Sequence, residues 1–345
     1  MSRTSRAGGT VGIKEVARAA GVSVGTVSNA INRPEMVAEE TRVRVLAAID
    51  QLGYVRSESA RHLRAGRSRI IALLVMDMAN PFFVDVASGA ERAAREAGLG
   101  VMLCNSAQSV AEEAEYLSLF AEQRVRGVLV TPADTTGRNL AAFERHGIPF
   151  VSVDRVVPSA QGCSVSVDDY EGAGLAVRHL LDRGHRDLAY VSGPMQLSQC
   201  QDRYDGATAL LRASGTDARL RHVEAERMDV AAGRDAGARL LGMSPRPTAV
   251  FCANDLMALG VLQSLYGAGI RVPEEVALVG YDDIEFAAAA AVPLTSVRQP
   301  AFRMGRAAAD LLIEETGDEA AAHVHQRIVL QPELVVRASS MTGRS

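Results

Sequence analysis

The chain has 345 residues, 48% apolar and 23% charged, with a net charge of −4; at roughly 100–200 residues per domain, that length predicts two or three soluble domains. No uncharged apolar run approaches the ~18 residues of a membrane span, and no apolar segment follows Arg3 and Arg6 as in a secretory signal, so a cytoplasmic protein with no membrane partner is expected. Lys14 is the only lysine beside 36 arginines, and Cys104, Cys163, Cys200 and Cys252 form no CxxC pair, which argues against Walker A, kinase and Schiff-base chemistry, a zinc ribbon and a disulfide framework.

Charge is unevenly spread. Residues 1–69 hold 12 Lys/Arg against 6 Asp/Glu, a net of +6, and the remainder carries −10; only the N-terminal fifth suits a polyanion. Three short helical patterns lie there: Ile13 to Ala20, Val24 to Asn32, and Glu39 to Leu52, the last with Val45, Leu46, Ile49 and Leu52 on one face. Gly21-Val22-Ser23 joins the first two as a tight turn whose serine can cap the second helix. This is the spacing of a helix-turn-helix with a core of Ile13, Val16, Ala17, Ala20, Val22, Val27 and Ile31. Val24, Gly25, Ser28 and Asn29 would face outward, where such a helix enters a major groove. Asn29 can pair with an adenine edge and Val24 can touch a thymine methyl, while Thr26 and Ser28 suit phosphate. A plain three-helix bundle has the same spacing, and the local positive charge favours the DNA reader. Gly21 to Gly25 also matches GxSxG, but a nucleophile elbow must follow a strand and this run joins two helices.

From Arg69 onward, short β-branched runs alternate with longer helical patterns, as parallel sheets flanked by helices require. Strands are expected at Ile70 to Met76, Val101 to Cys104, Gly127 to Thr131 and Phe150 to Asp154, then near Val165, Leu188 to Ser192, His222, Val250 to Ala253 and Val276 to Tyr281. A short strand at Thr295 to Val297, a helix at Ala301 to Glu315, and strands near Ile328 and Leu334 would return to complete both lobes, with Ala287 to Ala291 a small helical turn. Asp154 and Arg155, Asn254 and Asp255, Asp282 and Asp283 end strands, where open α/β lobes bind ligands. Arg203 offers a planar donor fork and Asp154 and Asp282 offer acceptors, a set suited to neighbouring sugar hydroxyls. Phe82 and Phe83 could stack on a flat ligand or belong to the core. Gly172-Ala173-Gly174 has Val177 where a dinucleotide fingerprint needs its third glycine, so helix packing explains it better. No HExxH exists, and His323 with His325 reads as an exposed pair; no metal, cofactor or catalytic residue is expected.

The run Ile13-Lys14-Glu15-Val16-Ala17, Gly21-Val22-Ser23, Thr26-Val27-Ser28, Ile31-Asn32, Thr41-Arg42 and Gly53-Tyr54 resembles the DNA-binding headpiece of the lactose/galactose repressor family. Ala60-Arg61-His62-Leu63-Arg64 is similar to that family's hinge helix, and Asn80-Pro81-Phe82-Phe83, Cys252-Ala253-Asn254-Asp255, Gly280-Tyr281-Asp282-Asp283 and Pro293 to Gln299 to its later signatures. The resemblance implies an all-α headpiece (1–56), a hinge helix and linker (57–68), and an α/β two-lobed periplasmic-binding-protein-like core with parallel sheets (69–345). Its N-lobe would span about 69–160 and 296–325, its C-lobe about 161–292 and 326–340. It further implies a homodimer on operator DNA, with Arg61 and a wedging Leu63 added to the contacts, and a sugar-like effector held by Phe82, Asp154, Arg155, Arg203, Asn254, Asp282 and Gln299. The hinge would order only on DNA, since about eight residues are too few for an isolated helix. Ala38 stands where the family usually has a capping Ser or Thr. A transporter-feeding solute-binding protein would share the core but lack the headpiece, and an enzyme of this class would turn over its bound sugar; the expectation is a non-enzymatic transcription repressor.

Overall fold

The computed structural model describes residues 11–54, 68–134, 136–157, 162–318 and 320–341. It divides at Arg67/Ser68 into two units, so Arg61, Leu63 and the rest of the expected hinge lie outside the described residues.

The first unit is helical. α1 (Ile13–Ala20), α2 (Val24–Asn32) and α3 (Glu39–Leu52) bury Val16, Ala17, Ala20, Val27, Ala30, Val45 and Ala48 together. Gly21 adopts a left-handed conformation (φ 66°) that ends α1 and lets the Val22 amide return to the Ala17 carbonyl, closing the turn. Ser23 Oγ then accepts from the Thr26 amide at 3.0 Å, capping α2 as expected. Leu46 corrects the expected face of α3: it is 45% exposed, because the buried stripe runs Val45, Ala48, Ile49, Leu52, and Leu46 is one helical step off it. Ala38 caps α3 without any side-chain bond. Ala38→Ser should therefore stabilise the headpiece by ~1 kcal/mol, read as slower hydrogen exchange of the α3 amides in the full chain; unchanged exchange would mean another group already satisfies them.

The second unit alternates strands and helices: β1 (Ile70–Val75), α4 (Pro81–Glu96), β2 (Gly100–Asn105), α5 (Val110–Gln123), β3 (Val128–Val130), α6 (Arg138–His146), β4 (Phe150–Val153), β5 (Cys163–Val167), α7 (Asp169–Asp182), β6 (Asp187–Ser192), α8 (Ser198–Ala213), β7 (Arg219–Glu224), α9 (Val230–Leu241), β8 (Ala249–Cys252), α10 (Asp255–Gly267), β9 (Ala277–Asp282), α11 (Glu285–Ala289), β10 (Thr295–Arg298), α12 (Ala301–Glu315), β11 (Arg327–Leu330) and β12 (Glu333–Val335). They form two six-stranded sheets, ordered β11-β5-β4-β3-β1-β2 and β12-β10-β9-β8-β6-β7. Strands buried on both faces, such as Ile71 to Val75 and Ala249 to Cys252, explain the continuous apolar runs.

Pairing moves three segments from their expected lobes. β5 and β11 pair in parallel in the first sheet, Ile328 opposite Val165, and not in the C-lobe where the sequence places both. β10 lies in the second sheet beside β9, not in the N-lobe. The chain thus crosses between lobes after β5, β10 and β11, each time at the ends of the strands. That also explains the antiparallel pair, β10 with β12: only Gln331 and Pro332 separate β11 from β12, so the chain enters the second sheet at the end where its other strands leave. α12 returns to the N-lobe because Gly89 and Gly305 let it cross α4 at close range; a Cβ at Gly89 would strike the Phe302 carbonyl, and one at Gly305 the Val86 carbonyl. Cys163, Cys200 and Cys252 are buried free thiols and Cys104 is half-buried.

Candidate functional site

On the headpiece, Val24, Gly25 and Asn29 are exposed, while Thr26 and Ser28 are half-buried at the same helix. Thr26 Oγ1 bonds to Ser23 Oγ at 2.9 Å, and Asn32 donates to the Ser28 carbonyl at 2.9 Å. The face is short and polar, and its aliphatic member Val24 is 39% exposed.

In the core, the β-strand ends of the two lobes enclose a cavity of about 30 Å³, lined among others by Asn80, Phe82, Asp154, Arg203, Asn254, Asp282 and Gln299. At ~10–15 Å³ per water it admits two or three waters, so a larger ligand must part the lobes or displace side chains. Six of the seven expected effector residues meet there. Arg155 does not: Asp154 turns the chain through a left-handed conformation (φ 63°), and the Arg155 guanidinium donates to the Asp134 carbonyl at 2.7 Å instead.

Asp282 is the centre of the polar set. Its carboxylate accepts from Asn80 Nδ2 at 2.9 Å, a bond between lobes, and from Gln299 Nε2 at 2.7 Å. Its backbone is also left-handed (φ 103°), as is that of Asp283 (φ 57°); non-glycine residues held this way concentrate at ligand sites. Asp283 turns away to Arg298 and Arg337. Burial pushes the Asp282 carboxyl up to about 6, against the opposing pull of Arg203, Asn80 and Gln299. Burial likewise raises Asp154 well above the usual carboxylate range, reinforced by Asp169 and Asp282 and opposed by Arg203. Asp154 Oδ1 and Gln299 Oε1 are buried without a hydrogen-bond partner, the condition of acceptors that a ligand's hydroxyls would satisfy.

Arg203 is held by its own surroundings. Its Nε donates to Asp169 Oδ1 at 2.8 Å, with both side chains buried, Nη1 donates to the Ala253 carbonyl, and the guanidinium lies 3.6 Å from the centre of the Tyr281 ring. The ring in turn packs against Gly172, where a Cβ would strike the phenol oxygen. Helix packing, as expected, accounts for that glycine. Asn254 caps α10 through the Met257 amide and donates to the Met228 carbonyl at 3.0 Å.

A family model described as "Bacterial regulatory proteins, lacI family" matches residues 12–57, and one described as "Periplasmic binding protein-like domain" matches residues 177–340. The chain is 34% identical over 328 residues to the HTH-type transcriptional repressor PurR of Photobacterium profundum, covering 95% of this chain and 98% of that repressor. The chain belongs to the lacI family. Among solved family structures it is similar to the transcriptional regulator CelR in a cellobiose complex (33% identity, TM-score 0.72, covering 95% of this chain and 99% of that one). It is also similar to the lac repressor dimer bound to operator and the anti-inducer ONPF (26% identity, TM-score 0.83, covering 97% and 100%). Like PurR and the lac repressor, this lacI-family chain is a DNA-binding transcriptional repressor, and among its described residues no helix is long and apolar enough to cross a membrane.

Sequence reasoning missed Asp169, Gln199 and Met228 and named Asn80 only through the resemblance. Asp168 and Asp169 open α7 together, and a sequence cannot say which one caps; Asp168 accepts from the Glu171 amide at 3.0 Å, leaving Asp169 for Arg203. The Asp282 environment fixes a stability prediction for this repressor. A carboxyl raised to about 6 from an unfolded value near ~3.9 favours the native state most below the lower value, and that contribution is lost as pH rises through about 6. Asp282→Asn, a residue that tolerates left-handed backbone, should therefore leave ligand-free stability near wild type at about pH 4 and raise it at about pH 8. Urea unfolding at both pH values checks this; a gain only in acid would reverse the assignment.

Proposed function

We propose that this repressor binds a pseudo-palindromic operator as a homodimer and responds to a sugar or polyol held between its lobes, controlling genes for catabolism of that compound. One observation carries the reading: acceptors and donors from both lobes converge, with Asp154 Oδ1 and Gln299 Oε1 unpartnered and the lobes linked through Asn80 and Asp282. Carboxylates beside amide groups match vicinal hydroxyls, which both donate and accept. The relatives solved with cellobiose, and as a dimer on operator, support both halves of the proposal.

Effector binding exchanges the Asn80–Asp282 bond for bonds to the ligand, which changes the equilibrium between lobe arrangements and hence operator affinity. Release by the effector is preferred to corepression. A coupling of ~1–3 kcal/mol, about 5- to 150-fold, is expected and must be reciprocal. Because ligand hydroxyls favour the charged carboxylate, effector affinity should fall as pH drops through about 6. A thermal-shift screen of the full chain against sugars, polyols, sugar phosphates and nucleobases tests the class; stabilisation by nucleobases alone would overturn the sugar reading.

A further inference from the structure

A second cluster of chemistry lies outside the effector cleft. The first sheet's strand β5 opens at Cys163, α12 ends at Glu315, and the loop leading into β11 carries His323 and His325. One ligand atom from each of these four residues lies within 4.8 Å of every other. Expected to be an exposed pair, the two histidines are half-buried, their rings 5.6 Å apart.

We propose that Cys163, Glu315, His323 and His325 form a tetrahedral site for a divalent first-row metal, Zn²⁺ by preference. Sulfur, two imidazoles and a carboxylate are the ligand types that zinc accepts together. Zinc's bond lengths set tetrahedral ligand atoms about 3.3–3.6 Å apart, and Cys163 Sγ already lies 3.2 Å from His323 Nε2. Two further observations point to a ligand. Glu315 Oε2 and His325 Nδ1 are buried with no hydrogen-bond partner, and a shared cation would satisfy both. The Gln326 amide donates to Cys163 Sγ at 3.2 Å, the kind of bond that orients and supports a metal-bound thiolate. Two anionic ligands would balance the charge of the ion. Its effect would be structural: it would tie the end of α12 and the lead into edge strand β11 to β5, at the opposite end of the sheet from the effector cleft.

Titration of the metal-free full chain with Co²⁺ tests the site, because a cobalt–thiolate bond absorbs in the near ultraviolet. One equivalent per chain should produce that band, Zn²⁺ should abolish it by displacement, and Zn²⁺ should raise the melting temperature. Cys163→Ser should remove the band. Since Cys163 is fully buried and its variant can misfold, His325→Gln at a half-buried position provides the second arm: it should weaken Co²⁺ binding by more than about 10-fold while retaining wild-type circular dichroism. No thiolate band in the wild type, or a band and affinity untouched in a folded His325→Gln, overturns the proposal.

Discussion

Arg203→Ala is expected to destabilise the two-lobed core by about 3–5 kcal/mol, because it strands the buried Asp169 carboxylate that Arg203 neutralises at 2.8 Å. Sequence alone predicts that this variant loses its effector response with operator binding near normal, since Arg203 reads simply as a ligand contact. The geometry adds a structural role: the guanidinium also holds the Ala253 carbonyl and covers the Tyr281 ring. The two roles separate in a double variant. Asp169→Asn with Arg203→Ala removes the stranded charge, so calorimetry should recover much of the lost stability while effector titration still finds no response. If the double variant regained the response along with its stability, Arg203 would be a structural residue and not an effector contact.

The second large effect is expected in the headpiece. Asn29 is exposed on α2, and its amide offers the paired donor and acceptor that match an adenine edge. Asn29→Ala should cost ~1–3 kcal/mol, about 5- to 150-fold, on specific operator DNA. Binding to random duplex, which depends on phosphate contacts, should hardly change. Competition binding at fixed salt measures both. Equal losses on the two DNAs would assign Asn29 to the backbone and leave base reading to Val24 and its neighbours. The core of the headpiece should be unaffected, since the buried residues of α2 are Val27 and Ala30.

Much of this was legible in the sequence, and the reason is local. The turn Gly21-Val22-Ser23 requires a residue free to adopt positive φ followed by a capping hydroxyl, and both requirements are met within three residues. Strand and helix periods are local as well, so the two αβ series and the candidate residues at their strand ends could be read from residue spacing. What a short window could not supply was partnership across distance. β5 could have joined either lobe; hydrogen bonding to β4 and β11, the latter some 160 residues away in the chain, decided it. Arg203 could have faced a ligand freely until folding brought Asp169 beside it, and the cross-lobe bond from Asn80 to Asp282 joins residues 202 apart. Arg155 follows Asp154 directly, yet one left-handed residue sends the two side chains to different places. Cys163 and the two histidines gave no motif spacing at all, because the elements that unite them are neighbours only in the sheet. Sequence by itself determined the elements, the headpiece and the chemical character of the cleft; tertiary structure decided which charges are neutralised internally and which acceptors are left for a ligand, since desolvation and pairing depend on contacts that the chain makes only once both sheets have formed.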